Sequence, residues 1–172
     1  SGGTSGGTEV YKVTTRSPVG SLGSSSVSFA VTCTACAAVA VATTQDLDTE
    51  HSGSKWTYDN TAKTLTFGAK AVAANTVNGV TLALNQRILV KDQTNATQNG
   101  VYSVTTLGVE SSAATVLTRA TDMDEVSEFG GANVYVSGGI YGGWLAYTVP
   151  GTVSTLGTDS VSFALAGSAT QA

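Results

Sequence analysis

Asn85-Gln86-Arg87-Ile88-Leu89-Val90-Lys91-Asp92-Gln93-Thr94-Asn95-Ala96-Thr97-Gln98-Asn99-Gly100-Val101-Tyr102-Ser103-Val104 reads as strand, polar turn, strand. Ile88, Leu89 and Val90 form an aliphatic, partly β-branched run, and Val101, Tyr102 and Val104 form its partner. The turn between them ends in Asn99-Gly100, a dipeptide that tolerates positive φ and reverses a chain. No catalytic group lies in the stretch.

Outward from this unit, alternation or short apolar runs recur roughly every ten residues, bounded by Gly, Asn, Asp, Ser and Thr. The pattern predicts an all-β fold, an antiparallel sandwich or barrel of short strands with at most one short helix. Strands are expected at Glu9–Thr15, Ser25–Thr32, Ala37–Thr43, Lys55–Tyr58, Thr64–Phe67, Arg87–Lys91, Val101–Thr106, Thr115–Ala120, Asn133–Val136, Gly143–Val149 and Ser160–Leu165. Tyr58 to Lys63 and Asn78-Gly79 read as turns. The helical candidate runs from Asp122 to Phe129, with Thr121 or Asp122 as N-cap.

Composition narrows the function classes. Only 12% of the 172 residues are charged, about half the usual share, and 20 are glycine. Such a surface suits contact with protein more than contact with water. The net charge of −4 and the scattered basic residues argue against nucleic acid and anionic membrane as partners. The longest apolar candidate, Ala35 to Ala42, is far below the roughly 20 residues of a membrane-spanning helix, so no membrane insertion is expected.

Four segments follow: a flexible Gly/Ser/Thr linker at 1–8, a strand pair at 9–32, a β domain at 33–167 and a tail at 168–172. The strand pair is defined by a repeat. Val19-Gly20-Ser21-Leu22-Gly23-Ser24-Ser25-Ser26-Val27-Ser28-Phe29-Ala30 matches Val153-Ser154-Thr155-Leu156-Gly157-Thr158-Asp159-Ser160-Val161-Ser162-Phe163-Ala164 at eight of twelve positions, with a constant offset (157 − 23 = 134). Each copy follows a Tyr-x-Val, at Tyr11-Lys12-Val13 and Tyr147-Thr148-Val149. Two readings follow: the remnant of a duplicated domain, or strands that exchange between subunits. The second makes Tyr11, Val13, Leu22, Val27, Phe29, Tyr147, Val149, Leu156, Val161 and Phe163 the candidate assembly residues, with copies of the same chain as partners.

Catalytic chemistry finds no constellation. The single histidine, His51, lies in a polar stretch that reads as a solvated loop. Cys33-Thr34-Ala35-Cys36 is a CxxC pair without the helix start of a redox centre or the four ligands of a zinc site, and it reads as a small apolar pair at a strand end, with an optional disulfide. The acidic sets Asp46/Asp48/Glu50 and Asp122/Asp124/Glu125/Glu128 lack EF-hand spacing, and the second suits a helix start electrostatically. No metal, cofactor or catalytic residue is expected. The glycine-rich Gly138 to Gly143 reads as an exposed turn. Phe29, Phe163, Trp144 and Tyr102 read as core, while Trp56, Tyr58 and Tyr141 are candidates to stack on a sugar ring.

Val41-Ala42-Thr43-Thr44, Asn78-Gly79-Val80, Arg87 to Thr94, Gln98 to Tyr102, Thr118 to Asp122 and Gly157 to Phe163, in that order, resemble a β-structured domain of tailed-bacteriophage virion proteins, mostly tail-fibre and other tail proteins. The resemblance covers about Val41 to Ala164. It implies a non-enzymatic structural role at the virion surface, with other virion proteins as partners. The extra N-terminal strand pair and the short chain turn the expectation from a full-length tail fibre toward a capsid decoration or head-fibre protein, or a repeated tail-tube appendage. A host-surface glycan is a further implied partner. A glycan-binding adhesin domain and an extracellular filament subunit are the alternatives. Within the matching blocks Asp92 and Asp122 are expected to cap turns and Arg119 to pair with a carboxylate.

Overall fold

The computed structural model describes residues 36–52, 55–69 and 72–166, with residues 72 and 73 as backbone only. The expected strands at 9–15 and 25–32, Cys33, the linker and the tail lie outside the described residues.

Eleven strands follow in chain order: β1 (Val41–Ala42), β2 (Trp56–Asp59), β3 (Thr64–Phe67), β4 (Thr76–Val77), β5 (Val80–Thr81), β6 (Arg87–Val90), β7 (Gly100–Thr106), β8 (Val116–Arg119), β9 (Asn133–Tyr135), β10 (Ala146–Thr148) and β11 (Ala164–Leu165). The fold is all-β, and no barrel closes among the described residues. A six-stranded sheet has the order β1-β6-β7-β8-β3-β2, a three-stranded sheet has β11-β10-β9, and β4 and β5 form a hairpin.

At the centre β6 and β7 pair antiparallel, with Ile88 opposite Tyr102 and Leu89 opposite Val101. Successive side chains of a strand point to opposite faces, so an unbroken apolar run requires cover on both. That cover is present. Leu89 and Val101 enter one core with Phe129, Val134 and Tyr147, whereas Ile88, Val90, Tyr102 and Val104 enter a second with Leu47, Leu65 and Leu117. Burying each of these large side chains contributes about 1.5–3 kcal/mol.

One feature departs from the antiparallel expectation. Residues 36–43 run parallel to both neighbours. Val41 and Ala42 register with Ile88 and Leu89, and Val39 bridges Val136 in parallel. The Cys36 and Val39 amides donate to Asn133 and Tyr135 carbonyls, and the Ala40 and Thr43 amides to those of Arg87 and Leu89. The segment is therefore a seam joining the two larger sheets. Asp122 reinforces it, accepting from the Ala37 amide at 3.1 Å and from Arg87 Nη2 at 2.8 Å.

The helical expectation is displaced. Asp122 to Phe129 holds only a 3-10 turn at Val126–Glu128, capped by Glu125, neither Thr121 nor Asp122. The α-helix is instead α1 (Leu47–Glu50), in the stretch that reads as a loop. Asp46 caps it by accepting from the Asp48 amide at 2.8 Å, and Leu47 is driven into the second core. His51, at its end, is no solvated residue. Its ring is half-buried against Trp56 and Phe67, between the carbonyls of Leu47 and Thr76.

Candidate functional site

The polar turn of the opening stretch is organised by a buried cation. Arg119, at the end of β8, donates through Nη1 to the Asn99 carbonyl (2.9 Å), through Nη2 to Thr97 (3.0 Å) and through Nε to the Tyr58 hydroxyl (3.1 Å). Its guanidinium also lies over the rings of Tyr58, Tyr102 and Phe129. Among the described residues no carboxylate is within ion-pairing distance of it, contrary to the expected pairing; the carboxylate partners go to Arg87, Lys55, Lys63 and Lys91. Planar donors and aromatic faces together offset the desolvation of the charge.

The hub explains Gly100. Asn99 is extended, with φ −63°, and the reversal is made earlier by a 3-10 turn at Ala96–Gln98 capped by Asn95. Gly100 is needed for close approach: a Cβ there would overlap Arg119 Nη1, which is fixed by its bond to Asn99. Gly100→Ala is expected to lower stability by about 3 kcal/mol, measured by urea unfolding, through overpacking. Gly130→Ala, where a Cβ would meet nothing within 4 Å, is the control and should fall within about 0.5 kcal/mol of the parent.

Tyr102 packs under the hub, its hydroxyl donating to the Gln98 carbonyl at 2.6 Å. Burial pushes its phenol well above the ordinary range, and the Arg119 charge only partly opposes this. The folded-state pKa exceeds the unfolded value. The stability that Tyr102 contributes is therefore complete below about pH 10 and is lost as pH rises beyond it. Urea midpoints measured from pH 8 to 11 are expected to fall above about pH 10, and Tyr102→Phe to flatten that decline.

The same turn holds the closing segment. Asn99 accepts from the Gln93 amide (3.0 Å) and donates to the Val161 carbonyl (2.9 Å), while the Val161 amide donates to Ala96 at 3.0 Å. Asp159 closes a local turn by accepting from Ser154 (2.8 Å) and Thr155 (2.9 Å). Val153 and Val161 enter the first core with Leu156 and Phe163 against it, and β11 then pairs with β10. Among the candidate assembly residues, Tyr147, Val149, Leu156, Val161 and Phe163 are thus brought together inside their own chain. Tyr11, Val13, Leu22, Val27 and Phe29 lie outside the described residues.

Beside β11 is an apolar display. Tyr135, Ile140, Tyr141, Trp144, Leu145 and Leu165 are exposed on β9, β11 and the β9–β10 connection. Trp144, read as core from the sequence, is 74% exposed and sits at φ +66°, a costly conformation for a bulky residue. The connection is held from below by Asn78. Its Nδ2 donates to the Tyr141 carbonyl at 2.6 Å, and its carbonyl accepts from the Ile140 amide at 3.1 Å. Sequence reasoning found the Asn78-Gly79 turn but not this partner, because nothing local links it to residues 140–141.

The remaining candidates are spent on structure. Burial alone would raise the Asp46 carboxyl, but hydrogen bonds from Thr94, Asp48 and Thr49 hold it below its ordinary value. Glu50 accepts from the Asn78 amide, Asp48 from the Trp56 amide (2.6 Å), and Glu128 from Asp124 and Glu125. Asp92 pairs with Lys91 instead of capping a turn. The Cys36 thiol points at the Asp122 carbonyl. Of the sugar-stacking candidates, Trp56 is buried in the second core and Tyr58 is half-buried against Arg119, so the three rings form no common platform; Tyr141 alone is exposed. Comparison with family models, with curated proteins and with solved structures finds no match to this chain.

Proposed function

We propose that this chain is a non-enzymatic structural protein of a tailed-phage virion, a tail or fibre module or a capsid decoration protein, which assembles through the β9–β11 end. The observation that carries the assembly part is the set of large apolar side chains exposed on that one sheet and its connection. Large apolar side chains exposed beside a strand edge that is unpaired among the described residues are what a β-protein covers with a partner. The ordered blocks that resemble phage virion modules supply the virion part. In the structure their charged residues, Arg87, Lys91, Asp92, Arg119 and Asp122, are all engaged in bonds within the chain.

Immunogold labelling of negatively stained particles from the producing culture tests the reading. Gold on phage heads or tails is expected. Gold confined to free filaments would favour the extracellular filament reading, and gold on neither would overturn the structural role. The exposed rings of Tyr141 and Trp144 favour one second reading, a glycan-binding adhesin domain. Specific binding on a glycan array, lost in Trp144→Ser, would establish it.

A further inference from the structure

The two copies of the repeat can be compared position by position with the burial of the C-terminal copy. Val153, Leu156, Gly157, Val161, Phe163 and Ala164 are buried or half-buried, and they recur unchanged as Val19, Leu22, Gly23, Val27, Phe29 and Ala30. Three of the four differences, Ser154/Gly20, Thr155/Ser21 and Thr158/Ser24, fall on exposed positions. The fourth replaces the turn-closing Asp159 with Ser25. Gly157 is informative on its own. It has φ +80°, and a Cβ there would overlap the Asn60 carboxamide, so the slot accepts glycine and the N-terminal copy supplies it. The other two identities, Ser160/Ser26 and Ser162/Ser28, are exposed, so it is the apolar positions that carry the argument: each one that is buried or half-buried keeps its residue, as filling one shape requires.

The described residues thus hold one slot, already filled, while the chain carries two segments cut to it. Both segments belong to one chain, but residues 153–164 follow β10 directly and keep the Asp159 turn, so they win their own slot. We propose that residues 19–30 close a second polypeptide, a β-module of the same build whose slot is vacant. There they would meet a free β10-type edge, an apolar recess for Val27 and Phe29, and a carboxamide in the place of Asn99 to receive the Val27 carbonyl. The inference rests on the assembly part of the reading above and not on the virion part.

Two experiments on the full chain test it, both independent of where the protein resides. In the first, S154G, T155S, T158S and D159S are combined, so that the closing segment becomes a copy of residues 19–30. Retention of a cooperative thermal transition, lowered by a few degrees for the lost Asp159 turn, is expected, and loss of the transition overturns the proposal. In the second, Val161→Asp expels the resident segment, V27D and F29D in the same chain keep its own residues 19–30 out of the slot, and a labelled peptide of residues 16–32 is added, with binding read by fluorescence anisotropy. Saturable binding is expected, at least tenfold tighter than to the parent chain and than that of the same peptide carrying V27D and F29D. Binding of a residue 150–166 peptide but not of the 16–32 peptide, or equal binding by the V27D/F29D peptide, overturns it. Should V161D not fold alone, recovery of its thermal transition on adding peptide replaces anisotropy as the readout. Should neither peptide act, the outcome of the first experiment decides.

Discussion

Arg119→Ala is expected to lower the unfolding free energy by about 4 kcal/mol and the melting temperature by about 10 °C or more. Arg119 is 3% exposed, and its guanidinium serves three acceptors at once. Truncation leaves the carbonyls of Asn99 and Thr97 without their donor in a site that water reaches poorly, at about 1–3 kcal/mol each, and opens a void between three rings. Arg119→Met fills most of that void without restoring donors, so the difference between the two variants in urea unfolding isolates the packing part. Arg119→Lys keeps the charge but not the planar fork, and it should recover less than half of the loss. A loss below about 1 kcal/mol for Arg119→Ala would show that the turn holds its shape without the hub.

The second large effect is expected at Val161, which is 1% exposed in the first core and bonded through both its amide and its carbonyl. Val161→Asp places a carboxylate where no cation faces it among the described residues, and the desolvation cost is expected to exceed about 4 kcal/mol. The cheapest relief is release of the closing segment. Calorimetry should show a collapsed or lost transition, and limited proteolysis should gain a cut between residues 150 and 166. Val161→Ala, which removes volume alone, is expected to cost about 2 kcal/mol and to leave the protease pattern unchanged.

Both sites show what the sequence makes legible. The strands around Ile88 and Tyr102 follow from local pattern, and Thr64–Phe67 is found at its expected bounds. The Asp122 to Phe129 helix fails because its polar side chains are drawn off to Arg87 and Lys63, partners that no local window contains. The helix at Leu47 escapes notice because four residues are too few for a period, and it stands on the Asp46 cap and one buried leucine. Arg119 reads as an ordinary member of a charged block; its meaning comes from Phe129, Tyr58 and the Thr97 and Asn99 carbonyls, which converge from separate parts of the chain. Trp144 reads as core because it sits within a strand pattern, but the residue lies just before β10 at positive φ, and that backbone turn, which no local pattern signals, leaves its ring exposed. The repeat was legible in full, but its sorting by burial needed the fold.

The seam carries a consequence for the order of folding. Residues 36–43 leave the ribosome before either partner strand, and Val41 cannot register until Ile88 has emerged, nor Val39 until Val136 has. Closing such long loops is entropically expensive and slow, so the two larger sheets should nucleate separately and the seam zip last. Until that step the first-made part of the described chain is the last to be protected, and hydrogen-exchange pulse labelling should find the Ala40 and Thr43 amides among the latest to close.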